Sequence, residues 1–406
     1  MARLWSCGFE LQSVTNGVEI TGKTGTTPTI NTTIKRSGSA ALRCTPTTNS
    51  SYINTQFTAS NFLIKVRFAI YIASLPSATT QVCIVDQSVY DYLGAIKLTT
   101  TGTLQLWSVT TAFPSTAAQI GSDSAALSTG AWHVVTFSMD TTTASSWPCT
   151  AAVDGTTFVN TTFTGSADSA FNIDRLFVGP FDTTTTDLYF DDIAVNDSSG
   201  TSETGLPDWK GQIIHLQPNA AGDNNAFTVQ TGGTAGSANN YTRVDEITPD
   251  DSTSYNGDVT AGDIDDFNIT NTPASIGSGD TINVVSIGVR YNAAVASLEA
   301  AFKVRVKKAS AGTVTLSAAI TPNATTWKTN NNATVGIYPL VTYKDPDASV
   351  WTKATLDTAQ IGYTISTTNT NAANISAVWM LVDSTPAAGP SPSSSIGGTL
   401  SMLGVG

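Results

Sequence analysis

The segment Ile64-Lys-Val-Arg-Phe-Ala-Ile-Tyr-Ile72 alternates apolar and polar side chains along its length. Apolar side chains occupy every second position from Ile64 to Ile72, and Lys65, Arg67 and Tyr71 lie between them. A period of two residues is typical of a β-strand, because successive side chains point to opposite faces. A single apolar face predicts an antiparallel sheet that packs against a core on one side.

The composition of the whole chain favours the same structure. Charged residues make up 12% of the 406 positions, well below the roughly 25% of an ordinary globular protein. Glutamate, which helix surfaces normally use heavily, occurs only at Glu10, Glu19, Glu203, Glu246 and Glu299. Thr, Ser, Asn and Gly take up the difference, and these residues suit strands and turns. The chain is therefore predicted to be all-β.

Short strands between turn clusters continue on both sides of this segment and predict two tandem antiparallel β-sandwich or jelly-roll domains. The stretch Asp187-Leu-Tyr-Phe-Asp-Asp-Ile-Ala-Val-Asn-Asp197 is predicted to be the strand that closes the first domain. The Asp-, Asn- and Gly-rich residues 219–280 are predicted to be loop-like. The predicted division is a first sandwich at 1–197, a linker at 198–211, a second sandwich at 212–385, and a Pro/Ser/Gly linker with a short apolar end at 386–406.

The order of three motifs in the first domain resembles that of concanavalin A-like, laminin-G-like domains. The motifs are Gly130-Ala-Trp-His-Val-Val135, Ala152-Val-Asp-Gly155 and Phe190-Asp-Asp-Ile-Ala-Val195. The resemblance covers residues 1–197 and implies that the first sandwich is concanavalin A-like. It also implies that Trp132 and the Asp-Gly turn are structural.

Charge and hydropathy exclude two classes of partner. The net charge is −12 and the sequence contains no basic tract, so we predict no nucleic-acid binding. No segment approaches the ~20 apolar residues of a membrane span, so we predict no membrane insertion. The first ten residues lack the apolar core of a signal peptide, and we expect a protein made in the host cytoplasm and not secreted.

The cysteines Cys7, Cys44, Cys83 and Cys149 all lie in the first half. An even number permits two disulfides, but no spacing matches a metal-binding CxxC pair. Buried thiols are favoured over disulfides, and the redox state is left open.

The sequence offers few candidate catalytic groups. His133 and His215 are the two histidines, and no Gly-x-Ser-x-Gly elbow is present. Glycosidases on similar sandwiches use paired carboxylates, but Asp191 and Asp192 are adjacent, and adjacent residues of a regular strand point to opposite faces. We therefore predict no catalytic residues and a protein that is not an enzyme; a hydrolase on a lectin scaffold is a weaker alternative.

Candidate binding residues fall into three groups. Aromatic side chains in or near loops are suited to stacking on sugars, and the acidic 258–266 region offers carboxylates for calcium, although its spacing differs from that of an EF-hand. No cofactor is predicted, with calcium as the alternative. The apolar end suits docking to another protein. The residues are Tyr92, Trp107 and Trp147 for glycan, Asp258, Asp263 and Asp265 for calcium, and Ile396, Leu400, Met402 and Leu403 for docking.

A second resemblance concerns residues 190–310. Asp191-Asp-Ile-Ala-Val-Asn-Asp197, Leu216-Gln-Pro-Asn-Ala-Ala-Gly-Asp223 and Tyr241-Thr-Arg-Val-Asp-Glu246 are similar to a phrase in virion proteins of tailed bacteriophages. The resemblance implies a virion surface protein on the capsid or tail, bound to other virion proteins and assembled as a symmetric homo-oligomer, with a trimer favoured. The alternative is a minor tail adhesin that recognises host glycan through the first domain. Capsid and tail locations both stay open.

Overall fold

The computed structural model describes residues 3–25, 27–47, 49–57, 61–87, 91–109, 117–164, 171–295, 299–330 and 338–387. In the N-terminal half the described strands are β1 Arg3–Cys7, β2 Gly22–Thr24, β3 Thr29–Asn31, β4 Ala41–Cys44, β5 Tyr52–Gln56, β6 Leu63–Ser74, β7 Thr80–Gln87, β8 Asp91–Leu98, β9 Leu104–Val109, β10 Ala117–Ile120, β11 Trp132–Asp140, β12 Trp147–Val153, β13 Thr156–Phe163, β14 Arg175–Val178 and β15 Asp187–Asn196.

The C-terminal half adds twelve described strands, two 3₁₀-helices and one short α-helix. These are β16 Gln212–Leu216, β17 Pro218–Asn225, β18 Val229–Thr231, the 3₁₀-helices Ser237–Arg243 and Asp251–Thr253, β19 Tyr255–Asp258, β20 Ile264–Ile269, β21 Thr281–Ala293, β22 Ala301–Lys307, β23 Val314–Leu316, β24 Lys328–Thr329, β25 Leu340–Thr342, α1 Lys353–Leu356, β26 Gln360–Thr367 and β27 Ala373–Thr385. None of the described helices has the length and apolar character needed to cross a membrane.

The strands form four antiparallel sheets, two in each half. In the first sheet the order is β13-β12-β11-β6-β15-β4-β3, with β1 also paired to β15, and in the second it is β10-β9-β8-β7-β14-β5-β2. The third sheet has the order β18-β19-β27-β21-β24 with β16 and β25 attached, and the fourth has the order β17-β20-β26-β22-β23. The predicted all-β architecture of antiparallel sandwiches is confirmed. We call the two pairs of sheets the N-terminal and the C-terminal sandwich.

The alternation that opened the sequence analysis is realised in β6, at the centre of the first sheet. Ile64, Phe68 and Ile72 are fully buried in the core between the first and second sheets. The prediction that 219–280 is loop-like was wrong, because this stretch contains β17 to β20. Those strands are rich in Asn, Asp and Gly and lack an apolar alternation, so periodicity did not reveal them.

The two sandwiches share a buried interface. Ile213, Trp379 and Leu381 of the C-terminal sandwich form one apolar cluster with Leu11 and Val18 of the N-terminal sandwich. Because this cluster draws on both halves, part of the hydrophobic stabilisation of each sandwich depends on the other.

A buried ion cluster lies in the same interface. Asp383, at the end of β27, accepts a hydrogen bond from Arg3 Nη1 at 2.5 Å and from Arg67 Nη2 at 3.3 Å. The side chains of Asp383 and Arg67 are both 0% exposed. Although burial opposes ionisation, the guanidinium groups of Arg67 and Arg3 hold the pKa of Asp383 below its usual value. The cluster therefore joins the first strand and β6 of one sandwich to the last strand of the other.

The strand β15 departs from the regular geometry expected of it. Its register with β6 shifts between Asp191 and Ala194, and Asp192 has a φ of 51°. Through this bulge both carboxylates reach one segment: Arg36 N donates to Asp191 Oδ2 at 2.8 Å, and Ser37 Oγ donates to Asp192 Oδ1 at 2.6 Å. The prediction that the two side chains point to opposite faces was wrong, because the bulge breaks the period of two.

Asp192 also contacts the C-terminal sandwich. Its Oδ1 accepts a hydrogen bond from the backbone N–H of Ile213 at 2.6 Å, and its Oδ2 is 2.5 Å from Arg36 Nη1. The same guanidinium donates to the carbonyl of Gly211 at 2.7 Å. Asp192 thus fixes the start of β16 against the N-terminal sandwich.

All four cysteines are buried and free. Burial raises the pKa of the Cys44 thiol to about 12. These thiols are small apolar parts of the core and stay protonated at neutral pH.

Candidate functional site

The outer face of the second sheet carries a row of side chains that is buried at Ile84, Ala95 and Phe177 and half-exposed at Trp107. In the register of the sheet, Trp107 on β9 lies opposite Ala95 on β8, Ala95 opposite Ile84 on β7, and Ile84 opposite Phe177 on β14. Ile84, Ala95 and Phe177 form an apolar cluster separate from the sandwich core, with Tyr52 packed against it. Three strand spacings separate the ends of the row, roughly 14 Å.

One end of this row is polar and half-exposed. Lys97 Nζ lies 3.7 Å from the centroid of the Trp107 ring, a cation–π contact. The indole N–H of Trp107 donates to Gln105 Oε1 at 2.9 Å. Burial lowers the pKa of Lys97. The group combines an aromatic ring, a cation and an amide on neighbouring strands.

Asp123 holds this polar end together. It accepts hydrogen bonds from Gln105 Nε2 at 3.0 Å and from Gln119 Nε2 at 2.7 Å. The bond from Gln105, followed by that from Gln119, lowers the pKa of Asp123. The carboxylate therefore fixes both amides, and with them the edge of the Trp107 ring.

The other end of the row carries an ion pair. Arg175 Nη2 lies 2.6 Å from Asp86 Oδ2, and the guanidinium stands over the Phe177 ring at 5.6 Å. Burial raises the pKa of Asp86 to about 6, although Arg175 opposes the rise. Only the Trp107 end therefore offers a half-exposed ring beside a cation and amides, which suits a sugar because sugar rings carry both C–H patches and hydroxyls.

A second group lies at the rim of the N-terminal sandwich. His133, the second residue of β11, places Nδ1 2.8 Å from Asp154 Oδ2 and Nε2 3.1 Å from Ser128 Oγ. Sequence reasoning treated His133 as isolated because Ser128 stands in a loop and Asp154 in the turn after β12. The pairing of β11 with β12 was the signal that brings His133 and Asp154 together.

A groove of about 300 Å³ separates the sandwiches and is lined by Glu10 and His215. Glu10 accepts from Ser39 N and Ser39 Oγ at 2.7 Å each, and burial raises its pKa to about 7. Behind it, burial raises the pKa of Glu19 to about 8 and lowers that of His215 to about 3. Glu19 Oε1 is 3.8 Å from His215 Nε2. At neutral pH the imidazole is uncharged. The two side chains therefore do not form an ion pair, and they contribute to stability through packing.

The glycan residues predicted from the sequence are not brought together. Trp107 is half-exposed at the end of the row on the second sheet, but Trp147 is 1% exposed and packs against Phe163 and Phe171 in the core. Its ring therefore has no face for a sugar, and its assignment as a binding residue is corrected. The side chain of Tyr92 lies outside the described residues.

The calcium candidates have protein partners. Asp258 accepts from the backbone N–H of Val259 at 2.7 Å and from Thr228 N at 2.9 Å. Asp265 accepts from Asn240 Nδ2 at 2.7 Å. Asp263 lies beside Asp258, and burial followed by the charge of Asp258 raises its pKa. Within the described part of the chain no group of three or more His, Cys, Asp or Glu residues is arranged to hold a metal ion.

The docking candidates Ile396, Leu400, Met402 and Leu403 lie outside the described residues. The docking function of the C-terminal end therefore stays a prediction.

No protein-family model and no curated protein matches the sequence. Among solved structures, the endo-β-1,4-glucuronan lyase of the fungus Trichoderma reesei is 14% identical, with 48% of this chain and 95% of the lyase covered and a TM-score of 0.37. The alginate lyase Aly36B is 13% identical, with 48% and 97% covered and a TM-score of 0.32. The carbohydrate esterase of Shiga toxin-encoding bacteriophage phi24B is 17% identical, with 44% and 90% covered and a TM-score of 0.32.

At these identities and TM-scores the similar structures assign no residue and no substrate to this chain. Several of them are glycan-processing enzymes, and this finding contradicts the prediction that the chain is not an enzyme, which we withdraw. One of these structures comes from a bacteriophage. The concanavalin A-like assignment of the first sandwich stays a prediction.

Proposed function

We propose that this chain is a surface protein of a bacteriophage virion that binds host-surface glycan on the outer face of its second sheet. The observation that carries the proposal is the half-exposed end of the row, where the Trp107 ring lies beside Lys97 and Gln105.

The polar end of the row supplies the specificity. Gln105 and Gln119 are held by Asp123, so their amides lose little conformational entropy when a sugar hydroxyl binds. Lys97 offers a cation beside the Trp107 ring. Its position favours glycans that carry a carboxylate.

The virion location is proposed from the phage resemblance of residues 190–310. Other virion proteins of the capsid or tail are the partners, and a symmetric homo-oligomer, preferably a trimer, is the assembly. Counting copies per virion by gel densitometry tests the location: many copies agree with the capsid, and a few with the tail. Absence from purified virions would refute this part of the proposal.

Trp107→Ala is expected to weaken binding to a uronate-containing oligosaccharide by about tenfold or more, equivalent to about 1.4 kcal/mol. The ring provides the area on which a sugar stacks, and it holds Lys97 in place through the cation–π contact. Isothermal titration against glycans first selected on an array measures the change. The thermal melt of the variant is recorded alongside.

The matched control is Trp327→Ala, which removes a half-exposed indole from the C-terminal sandwich that contacts Tyr255 and Ser252. This control is expected to retain wild-type affinity. Equal losses in both variants, or no glycan bound by the wild type, would refute the binding face.

A further inference from the structure

Ser128, His133 and Asp154 form a continuous hydrogen-bonded chain. Nε2 of His133 is 3.1 Å from Ser128 Oγ, and Nδ1 is 2.8 Å from Asp154 Oδ2. These distances are those of a nucleophile, a base and a positioning acid. We propose that the chain is a serine hydrolase in which this group cleaves O-acyl esters carried by host-surface glycan.

Asp154 is held rigidly in position. It begins a tight turn in which Asp154 and Gly155 have φ values of 50° and 79°, as a type I′ hairpin turn requires. Its Oδ1 accepts the backbone N–H of Val134 at 2.7 Å. The other oxygen faces His133 Nδ1 and favours the tautomer that carries its proton there, which leaves the Nε2 lone pair directed at Ser128.

The imidazolium formed in the reaction also has its acceptors in place. His133 Nε2 is 3.1 Å from the carbonyl oxygen of Ser128 as well as from its hydroxyl. After Nε2 takes a proton, it donates to that carbonyl while Nδ1 continues to donate to Asp154. The side chain of His133 is 13% exposed and that of Asp154 is 42% exposed, so the imidazole is more shielded from water than the carboxylate.

The nucleophile is open to substrate. Ser128 and Thr129 are exposed residues in the loop between β10 and β11. Among the described residues no acceptor takes the backbone N–H of Thr129. An N–H that directly follows a nucleophile is a common donor to the oxyanion of the tetrahedral intermediate.

The reaction needs only the ester and water. Ser128 Oγ attacks the ester carbonyl carbon while its proton passes to His133 Nε2, and the carbonyl π electrons move to the oxygen. When the C=O bond re-forms, the C–O bond to the sugar breaks and the sugar hydroxyl leaves with the proton from Nε2. Water then attacks the acyl-serine in the same way and releases a carboxylic acid and free Ser128. Asp154 acts through His133 as a positioning residue.

An aromatic group flanks the site beside Asp154. Trp209, which is 36% exposed, packs on the turn beside Asp154, since a Cβ at Gly155 would lie 2.7 Å from its Nε1. Rings of this kind suit a sugar carrier, and the choice of glycan as carrier rests on the proposed function above.

The test is labelling of the full chain with a fluorophosphonate probe, in which Ser128 Oγ displaces fluoride from phosphorus, together with hydrolysis of p-nitrophenyl acetate and of O-acetylated polysaccharide. Wild type is expected to be labelled at Ser128, identified by peptide mass spectrometry. Ser128→Ala should abolish labelling and turnover, and His133→Ala should lower turnover roughly 10²- to 10⁴-fold. Ser122→Ala, on the same exposed loop, is the matched control and should behave as wild type.

Asp154→Asn separates positioning from folding. It should lower turnover and alter the pH–rate profile, whereas loss of a purely structural contact would lower the melting temperature alone. No labelling of wild type, labelling at another serine, or turnover that persists in Ser128→Ala would overturn the proposal. If glycan binding is absent but Ser128 is still labelled, the proposal of a glycan substrate is refuted and the proposal of a hydrolytic site is supported. If binding is present without labelling, the hydrolytic site fails alone.

Discussion

Asp383→Ala is expected to lower the free energy of unfolding by about 3–5 kcal/mol, because it leaves the guanidinium groups of Arg3 and Arg67 without their buried counter-ion. Arg3 keeps Glu203 Oε2 at 3.3 Å, on a side chain that is 25% exposed, whereas Arg67 keeps neutral acceptors such as the carbonyl of Asp192. Neutral acceptors do not replace the lost charge in a site that excludes water. Urea denaturation followed by tryptophan fluorescence measures the loss, and Trp379 in the interface is a local reporter.

The control for this change is Asp347→Ala. Asp347 pairs with Lys308 at 3.0 Å on the surface, where its side chain is 44% exposed, and such a solvent-screened pair contributes little to stability. Because Asp383 joins the sandwiches, its removal should also make the connector between β15 and β16 more sensitive to protease. An Asp383→Ala protein that matches Asp347→Ala in both assays would show that the ion cluster is not needed for the interface.

The second large effect is the pH dependence caused by Glu19. Its pKa rises from 4.5 to about 8, first through burial and then through the charge of Glu10. A carboxyl group whose pKa is higher in the folded protein than in the unfolded chain binds its proton more tightly when folded. Its stabilising contribution is therefore complete below pH 4.5 and is lost as the pH rises to about 8. The loss is on the order of 5 kcal/mol, at about 1.4 kcal/mol per pKa unit.

Glu19→Gln is expected to remove this part of the pH dependence, because the amide stays neutral. The difference in unfolding free energy between wild type and variant should change between pH 4.5 and 8 and be flat outside that window. Glu10→Gln is the matched comparison, and its window should end near pH 7 because burial raises the pKa of Glu10 to about 7. A Glu19→Gln curve parallel to wild type from pH 4.5 to 8 would contradict the assignment.

The candidate sites were only partly predictable. Trp107 was singled out as an aromatic residue with a position suited to sugars, but its neighbours Lys97, Gln105 and Asp123 come from strand register and loop closure. Trp147 was chosen by the same reasoning and lies in the core. When a strand lacks a strict alternation of apolar and polar residues, the sequence does not reveal which face of the sheet an aromatic ring lies on.

The Ser128 group shows the same limit at the level of chemistry. Ser128 and Asp154 lie five and twenty-one residues from His133, with none of the fixed spacings of a hydrolase motif. The β11–β12 hairpin brings Asp154 to His133, and the loop before β11 brings Ser128 to the same place. Asp192 is a further case, because a single positive φ turned its side chain to the face that Asp191 also uses.

By itself the sequence determined the class of structure: the period of two in residues 64–72, the scarcity of Glu and the turn clusters were enough for antiparallel β-sandwiches. These signals are local, since alternation and turns depend on residues a few positions apart. Only the tertiary structure decided that Arg67, on the polar face of β6, is 0% exposed beside Asp383 of the other sandwich. The partner that covers a face lies hundreds of residues away, and the period of a strand does not specify it.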